Sequence, residues 1–309
     1  MSSSLERLSA GALRWLDGNL EFFDPFSASG RPATHAKAKA ALELALLCHC
    51  AARLPDPPDT LDGATALVRK LWQDPGLPRL FEDVPKHASA YRLIYAALAP
   101  DAIDGTQVRA ALARLEPGFL TPRDKSPYQR IEIRHYADKA GVRHTVEPYA
   151  ELLPHSPLVA FRAAGPGDGT TQDGAPLTGP QAYALTHTGF YLSDFGQTWP
   201  GLGGGALTHA RDLVRRMLCH CVEHDRWDLA AELVLTQFVL GCEPLDTSEG
   251  AAAVDRLIRV QRSDGAIPGR SAALEAPASA SPGEFFRKAY HTTLVTALMA
   301  LVVSSPRPS

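Results

Sequence analysis

Apolar residues return every three or four positions through most of this chain, and strand-like alternation is weak, so the pattern predicts helices. They are expected over 5–19, 34–52, 63–73, 87–98, 106–115, 127–140, 178–192, 208–224, 227–240, 248–261 and 283–303. The boundaries carry matching chemistry. Ser126 before Pro127 is an N-cap followed by proline in the first turn, and Gly141 stops the same helix. Irregular stretches are expected at 55–62, 117–125, 154–180 and 275–282. The third contains GPGDGTTQDGAPLTGP and reads as a disordered or a functional loop. It divides the chain into two faintly similar halves: His35-Ala36 leads into LLCHCA and His209-Ala210 into MLCHCV, after the aromatic-acidic turns EFFDPF and FYLSDFG. Chance similarity between two Ala- and Leu-rich helices is the alternative. The expectation is one all-α domain over 1–309 with about a dozen helices and long irregular loops.

Composition keeps that picture and removes several functions. Hydrophobic residues make up 45% and charged residues 21% of the 309, which is ordinary for a globular protein. The 31 basic and 34 acidic residues nearly cancel, so there is no basic field for nucleic acid. The first twenty residues interleave charge with apolar positions, unlike a signal peptide. The longest apolar run, 292–303, falls short of the ~20 residues that span a bilayer. The expected setting is soluble and cytoplasmic, with no membrane partner, and with the five cysteines reduced. GLGGGALTHA lacks a preceding strand and a lysine, so no phosphate loop is read there.

Five residue sets are candidates for chemistry. In the CHC triplets, neighbouring helical residues point ~100° apart, so Cys48, His49 and Cys50 cannot converge on one ion and read as packing. Tyr183, His187, Tyr191 and Asp194 share one helix face that is polar and aromatic rather than charged, as expected of a lined cavity. A capping Asp194 and a structurally bonded His187 are the alternative. Asp225, Asp228 and Glu232 recur at three- and four-residue spacing, and Glu232 falls in an otherwise apolar helix, where burial is expected to raise its pKa and suit it to acid work. Asp225 and Asp228 in a first turn also suit the helix dipole. Arg130, Arg134 and Asp138 form one edge of another helix, with Glu132 on a different one. The arginines would dock an anionic substrate group or form an exposed paired face. His291, beside Tyr290, is expected where an apolar helix begins, and its burial requires a hydrogen bond, a metal or a substrate.

Gln261, Asp264, Gly265 and Gly269, followed by the Tyr290-His291-Thr292 helix, resemble the repeat of α/α toroids, the superfamily of terpene cyclases and protein prenyltransferase β subunits. The resemblance covers about the last fifty residues and implies a ring of helical hairpins around a central cavity. In the prenyltransferases the matching histidine is a zinc ligand, which would be His291 here. Their aspartate and cysteine ligands have as counterpart only DRWD, which contains no cysteine. The D-x-D-D acid of class II terpene cyclases is absent. ALRWL, SPYQRIEIRHY and ALTHTGFYLSDFG together also look like a bacterial family found with natural-product biosynthetic genes. Some of its members act as paired subunits that close azinomycin-type aziridine rings with loss of sulfate. That resemblance implies a general base, a cation for an anion, no redox cofactor, and a dimer with itself or a paralogue.

The leading expectation is a small-molecule tailoring enzyme of cyclase or lyase type, working without a cofactor in a central cavity. His187 or His291 would take a proton, Asp194 would orient a histidine, and Glu232 would act as acid or hold a substrate ammonium. Tyr183, Tyr191, Asp228, Arg130, Arg134 and Tyr290 would contact substrate. The alternatives are a zinc enzyme using His291, Asp228 and His187, and a non-catalytic scaffold or complex subunit with a filled centre.

Overall fold

A computed structural model describes residues 2–27, 35–101, 103–164, 174–269 and 281–307, and every regular element among them is helical. The α-helices are α1 (Ser2–Asp17), α2 (Leu20–Phe23), α3 (His35–Ala51), α4 (Asp62–Gln73), α5 (Pro85–Ala97), α6 (Gly105–Leu112), α7 (Pro127–Lys139), α8 (Tyr149–Leu152), α9 (Pro157–Ala160), α10 (Gly179–Ser193), α11 (Gly204–Glu223), α12 (Trp227–Val239), α13 (Ser248–Val260) and α14 (Pro282–Ser304). Every helix expected from periodicity is present, displaced by a few residues at its ends. The short α2, α8 and α9 escape a periodicity test because one turn shows no period. The 154–180 stretch is therefore partly helical, while 165–173 at its Gly-rich centre and 270–280 before α14 lie outside the described residues, as does the expected disorder there. No described helix is long and apolar enough to cross a membrane.

Three helices begin on the same device. Ser126 and Gln129, Thr178 and Gln181, and Ser281 and Glu284 form reciprocal capping boxes at the starts of α7, α10 and α14, each with proline in the first turn. Two otherwise orphaned N–H groups are satisfied at each start, and the preset proline φ favours helix there. The box on α14 corrects the expected position of His291. The helix begins at Pro282, so His291 lies nine residues inside it rather than at its start.

Helix contacts pass from α3 to α5, then to α7, α10, α12 and α14, and from α14 back to α3. The intervening helices pack outside these six: α4 on α3, α6 on α5, α8 on α7, α11 and α13 on α12, and α1 on α14. α12 is buried along its whole length, which explains an apolar sequence with one charge, Glu232, beyond its first turn. α1 meets α14 through Trp15, which stacks on Phe286 with ring centroids 5.9 Å apart. α1 also rests on the turn after α13. There the Gln261 amide donates to the Leu8 carbonyl at 3.0 Å, and Gly265, at φ +99°, passes so close to Gly11 that a Cβ would sit 2.0 Å from its carbonyl oxygen. The glycine motif singled out in the sequence thus fastens the first helix to the last hairpin.

Candidate active site

The six successive helices enclose a cavity of about 230 Å³. α3 supplies Glu43 and, one turn earlier, Lys39; α5 supplies Tyr91; α12 supplies Glu232; α14 supplies His291. Tyr128, Glu132 and Tyr136 follow at four-residue steps along α7, and His187 and Tyr191 do so along α10. Leucines 42, 46, 294 and 298, with Ile94, Phe190 and Phe195, complete an apolar wall. The cavity thus carries acidic and basic side chains together with an apolar wall.

Those groups form one connected chain. Glu232, 3% exposed, accepts a hydrogen bond from the Thr186 hydroxyl at 2.6 Å on Oε2. Its Oε1 stands between two imidazoles, 3.6 Å from His187 Nε2 and 4.0 Å from His291 Nε2. His187 Nδ1 is 3.2 Å from the Tyr128 hydroxyl. His291 Nδ1 is 3.3 Å from Glu43 Oε1, which Lys39 Nζ meets at 3.2 Å. On α7, Glu132 Oε1 accepts from the Tyr191 hydroxyl at 3.0 Å.

The electrostatics separate three carboxyls of one cavity. Burial acts to raise the pKa of Glu43, but the His291 and Lys39 contacts outweigh it and hold this carboxyl at about 2. Glu232 is likewise pushed up by burial and brought below its usual value by His187, His291 and Thr186. Glu132 goes the other way: burial raises it, and His187 and the Tyr191 hydrogen bond only partly offset that. Burial lowers the pKa of His187, but the Glu232 charge and contact carry it above its ordinary value. His291 is raised in the same sense by Glu43 and then Glu232. Carboxyls driven in opposite directions at one site are the arrangement that lets one accept and another donate a proton at the same pH.

Four of the residues singled out in the sequence sit at this chain: His187, Tyr191, Glu232 and His291 all line the cavity. Tyr290 is adjacent, with its hydroxyl on Glu43 and its ring stacked on Phe286. Glu232 departs from its expected pKa direction, because the sequence does not show the two histidines and the threonine that reach it. Tyr183 and Asp228 hydrogen-bond each other one turn before His187 and Glu232 and are outside the cavity lining. Asp194 also lies outside it. This residue caps α10 in the left-handed conformation, φ +47°, and pairs with Arg53 at 2.6 Å and Lys139 at 2.8 Å. The imidazole nearest to it is His135, at 4.0 Å, rather than His187. Arg130 pairs with Glu147 and the Lys125 carbonyl, and Arg134 with Asp138 and the Val146 carbonyl, away from the cavity.

Sequence reasoning passed over Glu43, Lys39, Tyr128 and Tyr136, and set Glu132 on an edge without a role. The Glu43 signal was available: AALELALLC holds a single acid in an apolar helix, the criterion that selected Glu232. Tyr128, Glu132 and Tyr136 were a four-residue stripe overshadowed by the arginines beside them. Cys48, Cys50 and Cys221 are buried, and burial pushes their thiols up to about 11, 12 and 12, so they stay protonated packing residues. The two His291 nitrogens face different carboxylates, Asp228 is bonded to Tyr183, and no three described His, Cys, Asp or Glu side chains are grouped to hold a metal ion.

Among the described residues the fold is all-helical, and six of its helices line a cavity that carries both acidic and basic side chains. Over residues 9–301 the chain matches the family described as Domain of unknown function (DUF6895), and it belongs to that family. No curated protein matches it.

Proposed function

We propose that this protein is a small-molecule enzyme of cyclase or lyase type, performing acid–base chemistry in the cavity. The observation that carries this reading is Glu232: a buried carboxylate between two imidazoles, lining a cavity that also holds Glu132, an acid pushed the other way. Tyr128 lines the cavity and touches His187, so when His187 is in its neutral form Tyr128 is the group that passes a substrate proton to the imidazole. Glu232 balances the imidazolium that results, and Glu43 holds the other imidazole in place. Glu132 gives a proton to the departing group, so one proton is taken and one returned in a cyclisation or elimination.

The architecture we read is an α/α toroid, supported by the closed sequence of contacts α3, α5, α7, α10, α12, α14 and by the alternation of these helices with outer ones. The cavity then occupies the middle of the ring. The test is metabolite profiling by mass spectrometry with wild-type protein and the Glu232→Gln variant. Depletion of a small molecule by wild type, with turnover about 10²–10⁴-fold lower in the variant, is expected. Equal turnover by both proteins would remove Glu232 from the chemistry.

A further inference from the structure

Each carboxyl at the cavity has its own cation among the described residues except one. Glu43 has Lys39 and His291, Glu232 has His187, and nearby Asp194 has Arg53 and Lys139. Glu132 pairs with no Lys, Arg or His nitrogen among the described residues, and its one hydrogen bond there is the Tyr191 hydroxyl on Oε1. Its other oxygen has no partner among the described residues, and the residue lines the cavity. Around it stand aromatic rings: Tyr128 lies stacked 6.4 Å from Tyr191, Tyr136 meets Tyr191 edge-on at 5.4 Å, and Phe190 and Phe195 stack at 5.5 Å in the same wall.

We propose that Glu132 is the anchor of a binding site for a small organic ammonium ion, with the charged nitrogen on its free oxygen and the rest of the ligand against the aromatic wall. A carboxylate in a low-dielectric cavity gains most from a cation that arrives with the ligand, because the alternative is to remain unpaired or become neutral. The faces of phenol and phenyl rings are electronegative and add cation–π attraction when the cation is desolvated. Lys39, His187 and His291 make their ion-pair contacts with Glu43 or Glu232, and His187 acts on Glu132 only from beyond contact distance. They leave no free cation for an anionic ligand. The volume of about 230 Å³ limits the ligand to less than drug size.

This inference shares with the proposed function the cavity and Glu132, whose carboxyl is neutral as the acid of that reading and ionised once an ammonium ion is bound, and the test separates the two by reading binding instead of turnover. Isothermal titration of the whole chain near neutral pH uses three probes of one shape: benzylamine, benzyl alcohol and benzoate. Benzylamine is expected to bind with saturation at least about tenfold tighter than the other two, and Glu132→Gln to remove that preference while unfolding at a similar temperature. Glu43→Gln, whose carboxylate already serves Lys39 and His291, is expected to keep the preference and controls for general loss of charge. Should Glu132→Gln lose its fold, Tyr191→Phe, which frees Oε1, is expected to alter benzylamine affinity and leave benzyl alcohol unchanged. Binding of benzoate or benzyl alcohol as tight as benzylamine overturns the proposal, as does no saturable benzylamine binding or an unchanged preference in Glu132→Gln. If benzylamine binds equally to wild type and Glu232→Gln while turnover is also equal, the ammonium site stands and the catalytic reading falls.

Discussion

Three glutamates in one cavity show how far partners outweigh residue type. All are taken out of water, which alone raises a carboxyl pKa. Glu43 nevertheless ends at about 2 and Glu232 below its ordinary value, while Glu132 ends above it. The difference lies in the imidazoles and Thr186, which come from other helices, and in Lys39, one turn before Glu43 on the same helix. Asp194 repeats the lesson outside the cavity, held at about 2 against burial by Arg53 and Lys139. Asp194→Asn keeps the shape and the tolerance for a left-handed backbone but removes the charge between two cations. The variant is expected to lose roughly 1–3 kcal/mol in denaturant unfolding, and a loss under about 0.5 kcal/mol would mean that the contacts are ornamental. Such partners are what the sequence conceals. Periodicity placed His187, Tyr191, Glu232 and His291 on helices, yet nothing local in EHDRWDLAAELVLTQ announces that Thr186 and two histidines surround Glu232.

At the scale of the element, helix existence was legible because long amphipathic periods and capping residues are local properties. The boxes at Ser126, Thr178 and Ser281 can be read from four residues each. Which face of α7 turns inward was not legible. Its arginines suggested an anion site, but they pair with Glu147 and Asp138 away from the cavity while Glu132 points in. Arg130→Gln is accordingly expected to leave benzylamine affinity within about twofold of wild type, measured by the same titration. A larger drop would put Arg130 in contact with the ligand. The Gln261–Gly265 turn makes a sharper prediction. A side chain at Gly265 would collide with the Gly11 backbone in a conformation that L residues rarely adopt. Gly265→Ala is expected to cost at least about 2 kcal/mol and to release α1, seen as faster amide exchange across Ser2–Asp17. Stability and exchange equal to wild type would show that α1 is held by Trp15 and its aromatic neighbours alone.

For the whole molecule, cavity and ion pairs set opposite pH trends. His135 is buried and His49 half-buried, and burial together with the Lys139 charge carries both down to about 4. A base with a depressed folded pKa binds fewer protons folded than unfolded, so their contribution is present above 6.5 and falls as pH drops from there through about 4. Glu43 and Asp194 lose theirs lower, from ordinary carboxylate values of 4.5 and 3.8 down to about 2. His187 and His291 act in the opposite sense: their contribution is complete below 6.5 and is lost as pH rises through their elevated folded values. The unfolding temperature is expected to fall continuously on acidification from pH 6.5 to 3, and a flat profile would contradict the lowered pKa values of His49 and His135. The ring of contacts that brings these groups together is non-local, joining α3 to α14 across most of the chain, and a sequence read by windows cannot display it. Everything proposed for the site depends on Glu232 being an ionised carboxylate shared by two histidines. NMR titration of the histidine ring protons tests that without a substrate: His187 and His291 should titrate above 6.5 in the wild type, and both should move down in Glu232→Gln. Two histidines titrating at or below 6.5, unmoved by the substitution, would contradict it.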